Sequence, residues 1–381
     1  MRLTIYFKAF FSSEKAGGLI LLICTIFSLI VTNSILQSHY LSIWHFNIAD
    51  HSLEYWINDG LMTLFFLLIG LELERELYDG ELSTINNALL PILAAFGGMI
   101  VPAAIHALLN KGTCFSSGAG IPMATDIAFA LGILSLLGNK VPVSLKIFLT
   151  ALAVIDDLGA IGVIAVFYTQ TILWMNVLLA TGIYVILFIL NKRKVYSLWP
   201  YLIGGLIMWY CMLHSGIHAT ITGVLLAFVI PFGDRTRKSP SFRLQLVLHK
   251  PVAYIIIPAF ALANTAVIIH YNWTSIFQHP NELGIMIGLI IGKPLGIILF
   301  SILAISIGIC SLPTDLNWKH IIGAGMLGGI GFTMSVFITL LAFKQEDPIT
   351  NSKLSILIAS LISGIIGWLW LNFTLKKSTS S

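Results

Sequence analysis

Runs of about twenty apolar residues, the length at which a helix crosses the hydrocarbon layer of a bilayer, recur along almost the whole of this 381-residue chain. Charged residues make up only 10% of it and hydrophobic residues 57%, whereas a soluble globular chain carries about 25% charged residues. The chain therefore reads as an all-α integral membrane protein. No polar block is large enough for a second domain, so residues 1–381 are read as a single transmembrane domain.

Walking the runs at that length predicts about twelve transmembrane helices, at 16–33, 56–78, 86–109, 121–138, 143–169, 172–191, 197–213, 216–231, 251–270, 283–310, 320–343 and 354–375. The first run follows a basic N-terminus and precedes no small-residue cleavage site, so it reads as an uncleaved span. Placing both termini in the cytoplasm puts seventeen Lys and Arg residues on that side and only Lys111, Lys344 and Lys353 on the other. That asymmetry is what the positive-inside rule demands of a correctly counted even number of spans. The net charge of +4 accordingly reports topology and not nucleic-acid binding. The basic loop "GDRTRKSPSFR" at 233–243 is a topology determinant near anionic lipid. Cys24, Cys114, Cys211 and Cys310 are too scattered to imply a metal or disulfide framework.

Against this apolar ground a few charges stand out. "AVIDDLGAIG" carries Asp156 and Asp157, "GIPMATDIAFALG" carries Asp126, and "GLIIGKPLGIILF" carries Lys293. Spans four and five join through a short turn near residue 140, and counting about 1.5 Å per residue from it brings all three carboxylates to one depth near the bilayer middle. Lys293 lies about 15 Å into span ten by the same rise. Each charge near a helix centre costs about 2.5–3.5 kcal/mol on the insertion scale. One lysine neutralises one aspartate, and three are present. A buried ion pair that only locks helices would explain Lys293 with one aspartate, but not the rest.

Carboxylates crowded in a low dielectric repel one another, so a proton and a hard cation compete for the same oxygens. Cation binding then releases protons. Mutually exclusive occupancy of one site by a cation and by protons is antiport chemistry. Two glycine-rich stretches fit a coordination site. "SSGAGIP" interrupts span four, and "GAGMLGGIG" interrupts span eleven. Each interrupted span is second of three, in 86–169 and in 283–375, which points to an inverted repeat with two discontinuous helices crossing at mid-membrane. Close helix packing through small residues is the other reading of these glycines.

Taken together, "GLELERELYDG", "ATDIAFALG", "AVIDDLGAIG", "GIHATITGV", "GKPLG" and "GFTMSVF" resemble the NhaA family of bacterial Na+/H+ antiporters over nearly the whole chain. That family is itself an example of inverted-repeat transporters. The resemblance implies that Asp156 and Asp157 bind Na+ or Li+ and protons, with Asp157 the indispensable ligand. It implies that Thr125 and Asp126 support the crossing, Asp126 balancing helix N-terminal dipoles, and that Lys293 pairs with Asp156 in one protonation state. The implied activity is electrogenic extrusion of Na+ across the inner membrane, driven by more than one inward proton, with no cofactor beyond the transported ions.

It further implies a cytoplasmic pH-sensing funnel formed by Glu72, Arg75 and Glu76 with His249 and His218. A solvated helix end is the plainer reading of Glu72 and Glu76, and a packing role that of His218. Gln245 and Leu246 depart from the family here, where a Glu-His pair is often found. The segment 39–59, which has no Lys or Arg, is either the external β-hairpin through which the family forms homodimers or a loop with interfacial aromatics. Two rival functions remain, a protease that also uses membrane aspartates and a carrier of an organic anion or solute that could share the fold. An intramembrane aspartyl protease would need a Gly-x-Gly-Asp motif, which is absent, and a proton-coupled carrier of organic anions would be opposed by three acids at its site.

Overall fold

Proline and glycine within the apolar runs decide where the helices bend or break. The computed structural model describes residues 2–80, 83, 85–169, 172–233, 239–269 and 279–378. In chain order the elements are α1 (Arg2–Thr32), α2 (Gln37–Trp44), β1 (Asn47–Ile48) and β2 (His51–Ser52), then α3 (Leu53–Asp79) and α4 (Ile85–Leu109). A 3-10 turn, Ser116–Met123, precedes α5 (Ile127–Leu136) and α6 (Val143–Phe167). There follow α7 (Trp174–Lys192), α8 (Trp199–Leu213), α9 (Ile221–Val229) and α10 (Pro240–Asn264), then α11 (Pro280–Ser306), α12 (Trp318–Gly328), α13 (Phe332–Ala342) and α14 (Glu346–Ser378).

Among the described residues, eight helices are long and apolar enough to cross a membrane, and nine if α12 and α13, bent by 45° at their break, count as one. The expected span 16–33 corresponds to the apolar part of α1, Ala16–Thr32, and 197–213 and 216–231 to the shorter apolar helices Trp199–Leu213 and Ile221–Val229. Arg235, Arg237 and Lys238 of the basic loop lie outside the described residues.

The chain divides into two compact units. The first comprises Met1–Tyr40, Thr84–Ala160 and Asn264–Ser381. Here α4 and α11 pack together, and Gly97 and Gly296 let their backbones touch, since a Cβ on either would overlap the other's carbonyl. Small residues of this kind set helix spacing in membranes, where lipid competes with every apolar contact. Within α11, Pro294 lacks an N–H and its ring crowds the preceding turn. The strain is taken up by a π-helical turn over Gly288–Gly292, immediately before Lys293.

The second unit comprises Leu41–Ser83 and Ile161–Ala263. Leu67, Leu71, Leu187, Tyr201, Met208 and Leu226 lie within its buried core. Gly223 sits against the Thr63 carbonyl and Gly70 against Ala227, so α3 and α9 approach closely. In contrast, Trp174, Leu178, Ile186 and Ile189 of α7 point outward and are exposed, as suits a helix facing lipid. Between β1 and β2, Asn47 pairs with Ser52 and Ile48 with His51. Their two-residue turn places Ala49 and Asp50 at φ of 48° and 66°, the left-handed region that tight antiparallel hairpins require. The Trp56 indole donates to the Ile48 carbonyl at 2.9 Å.

Candidate functional site

The two chain breaks of the first unit are stitched to one another. Ser116–Met123 ends as Ala124 becomes extended, and Asp126 N-caps α5 by accepting from Phe129 N at 2.9 Å. The backbone N–H of Asp126 donates to the Ile330 carbonyl, between α12 and α13, at 2.7 Å. Its Oδ2 accepts from Thr333 twice, from the backbone N–H at 3.1 Å and from the hydroxyl at 2.6 Å. One buried carboxylate thereby satisfies N–H groups at the starts of two helices, α5 and α13, where helices leave donors unpaired. Ser335 and Ser360 complete the join: Ser335 Oγ donates to the Ile121 carbonyl at 2.7 Å, and Ser360 Oγ accepts from Phe332 N at 3.1 Å.

Alongside this join lies a charged pair. Lys293 is 0% exposed, Asp156 0% and Asp157 1%. Lys293 Nζ stands 2.8 Å from Asp156 Oδ2 and also donates to the Met123 carbonyl. Asp157 lies within electrostatic reach of the same ammonium. Gly98 lets α4 approach α11 one turn past the lysine, since a Cβ there would fall 2.9 Å from Ile297 Cγ1. Thr125 Oγ1 is 2.8 Å from Asp156 Oδ2 and 2.9 Å from the Gly328 carbonyl. A hydroxyl has one hydrogen and can also accept. Facing an ionised Asp156 it donates to the carboxylate; facing a protonated one it accepts from it and donates to Gly328. The geometry thus accommodates Asp156 with or without a proton. Asp156 Oδ1 is buried and has no hydrogen-bond partner, which leaves an oxygen for a cation or a proton.

Asp126 is taken up by the donors at the two helix starts, while Asp156 and Asp157 stay with Lys293. Among the described residues no three His, Cys, Asp or Glu side chains gather to hold a metal ion. Sequence reasoning missed Thr333, Gly328 and Met123. Thr333 stood in plain view at the head of "FTMSVF", a hydroxyl residue opening a helix just after a glycine run. The two carbonyls carry no sequence signal at all.

The residues expected to sense pH fall into two groups within the second unit. Glu72 hydrogen-bonds with Gln245, Arg75 lies 3.2 Å from Glu76, and His249 feels the Arg75 charge. His218 is elsewhere, with Nδ1 3.5 Å from Asp59 Oδ1. Asp59 and Glu72 lie on the same helix, α3, about 20 Å apart at its rise per residue, so His218 is set apart from the group around Glu72. Glu74, passed over in the sequence, is buried and accepts from Ser241 Oγ at 2.8 Å.

The chain is similar to known proteins over its whole length. A family model described as Na+/H+ antiporter 1 matches residues 8–371. The Na(+)/H(+) antiporter NhaA 1 of Flavobacterium johnsoniae is 64% identical over 381 residues, covering 100% of both chains. The Na(+)/H(+) antiporter NhaA of Flavobacterium psychrophilum is 64% identical over 378 residues, 99% of this chain and 98% of its own. That of Cytophaga hutchinsonii is 60% identical over 381 residues, 100% and 98% respectively.

Proposed function

The chain belongs to the Na+/H+ antiporter 1 family, and on that premise we propose that it exchanges cytoplasmic Na+ or Li+ for more than one external proton per ion across the bacterial inner membrane. The family is one of secondary transporters and not of enzymes. The observation that carries the reading is the fully buried Lys293–Asp156 pair with Thr125 bridging to Gly328 and Asp157 beside it. Protonated aspartates leave no net negative charge to hold Na+. A bound Na+ occupies the oxygens that protons need. Lys293 pairs with Asp156 when no ion is present, and it is released when a cation takes over that carboxylate.

Exchanging more than one proton for one sodium moves net charge, and each charge gains about 2.3 kcal/mol per 100 mV of membrane potential. Voltage then drives sodium outward. The site is served by a twelve-span inverted repeat whose two broken helices cross at mid-membrane, with N- and C-termini cytoplasmic. The hairpin of β1 and β2 lies outside the membrane and joins two copies into a dimer. Activity rises with cytoplasmic pH through the group around Glu72, Arg75, Glu76 and His249, and Gln245 shifts its threshold. No cofactor takes part, and surrounding anionic lipid contacts the basic loops.

Everted membrane vesicles test this directly. Added Na+ or Li+ should dissipate a preformed proton gradient, and Asp157→Asn should abolish the response. Silence of the wild-type protein to both ions at every pH from about 6.5 to 9, the window around neutrality where its regulation falls, contradicts the proposal.

A further inference from the structure

A second buried polar group lies near the N-terminal end of α11 and plays no part in the aspartate site. His106 and Asn110, four residues apart around the C-terminal end of α4, are both 0% exposed. Gly284 of α11 is set against both, for a Cβ there would fall 2.8 Å from the His106 ring and 2.9 Å from the Asn110 amide. His106 Nε2 is 3.2 Å from Asn281 Oδ1. A carbonyl oxygen accepts, so Nε2 carries the hydrogen and Nδ1 is left as an acceptor. Asn281 Nδ2 donates to Ser352 Oγ at 2.8 Å, and Asn110 Nδ2 donates to the His106 and Pro280 carbonyls at 3.0 and 3.1 Å. Glu282, 3% exposed, is held by the side chains of Asn281 and Asn351.

What remains unsatisfied is of one kind. His106 Nδ1, Asn110 Oδ1 and Glu282 Oε2 are buried without a hydrogen-bond partner. All three are acceptors, and a buried acceptor lacking a donor is unfavourable. Apolar side chains would pack this place better if packing were its purpose. Acceptors alone are completed by water or hydronium. The charged neighbours are His279, which acts on Glu282, with Lys111 beside Asn110 and Lys353 beside Ser352 in the chain.

We propose that His106, Asn281 and Glu282 form a proton-relay station, separate from the Asp156 and Asp157 site, through which protons carried by water pass between the outer face and that site. The inference rests on the antiport reading and on the orientation in which Lys111, Lys344 and Lys353 mark the outer side. Glu282 precedes Lys293 on α11 by about 16 Å at the helical rise. The His106 ring also lies against Gly118, 3.0 Å from where a Cβ would be, on the turn whose Met123 carbonyl accepts from Lys293. In one step a proton from outer water binds His106 Nδ1 or Glu282 Oε2, giving an imidazolium or a carboxylic acid. In the next it leaves to water on the inner side, and the group returns to its starting form.

In everted vesicles the outer face of the protein fronts the lumen, whose pH can be set. Glu282→Gln and His106→Gln should leave the Na+ concentration for half-maximal response unchanged, lower the maximal rate by about tenfold or more, and flatten its dependence on lumenal pH. Glu282→Asp should restore that dependence. Active variants whose lumenal-pH profile matches wild type overturn the relay while leaving the antiport reading intact. Wild-type protein silent to Na+ instead overturns the antiport reading. Should the variants fail to fold, radiolytic footprinting of the wild-type protein decides: held water should oxidise the buried His106, and an unlabelled His106 overturns the proposal.

Discussion

At the scale of single residues, the site turns on one ammonium among buried carboxylates. Removing one member of a buried ion pair leaves an uncompensated charge and typically costs about 3–5 kcal/mol, whereas replacing both can be nearly neutral. Lys293→Ala should therefore lower the thermal midpoint of the purified protein more than the double variant Asp156→Asn with Lys293→Met does. A double variant less stable than both single ones would show that the pair is not the dominant coupling here. The charged members of this site were legible in the sequence because a charge in an apolar run has few explanations. Their partners were not. Thr125 came only through family resemblance, Thr333 is an uncharged residue among others like it, and the carbonyls of Met123, Gly328 and Ile330 belong to backbone whose direction depends on where the helices break.

At the scale of elements, the join between α5 and α13 holds because Asp126 serves two helix starts at once. Thr333→Val keeps the backbone N–H bond at 3.1 Å and deletes the hydroxyl bond at 2.6 Å. A hydrogen bond to a charged acceptor contributes about 1.5–3 kcal/mol, so this variant should unfold at lower temperature and Thr333→Ser should recover most of the loss. Equal stability of Thr333→Val and wild type would remove the hydroxyl from the account. "SSGAGIP" overlaps the 3-10 turn Ser116–Met123, and "GAGMLGGIG" the 45° bend between α12 and α13; both stretches are poor helix formers. The role of Asp126 at helix N-termini came only through the family resemblance, and its partner Thr333 was not legible, because that contact depends on α5 and α13 meeting across some 200 residues of chain. Helix lengths were the weaker part of the reading. Apolar runs at 197–213 and 216–231 form helices of 15 and 9 residues, and hydropathy does not register where His214 to Thr220 interrupts them.

At the scale of the whole molecule, orientation and coupling are the claims to test. Cys114, exposed in the connection after α4, falls on the side with few basic residues under the proposed orientation. A membrane-impermeant maleimide should label it from outside in intact cells, and labelling only in everted vesicles would invert the topology. The charge asymmetry that supports this orientation was available from the sequence because loop lysines and arginines need no fold to be counted. The two-unit division was not, since it follows from contacts between distant segments. Competition of Na+ and protons for one pair of carboxylates is the claim on which the rest depends. Its most direct measure is the number of protons released when Na+ is added to the purified protein in weakly buffered detergent solution. Release of more than one proton per Na+ bound, lost in Asp157→Asn, and an apparent Na+ affinity that weakens as pH falls are the results expected. Na+ binding that releases no protons and does not vary with pH would contradict the account.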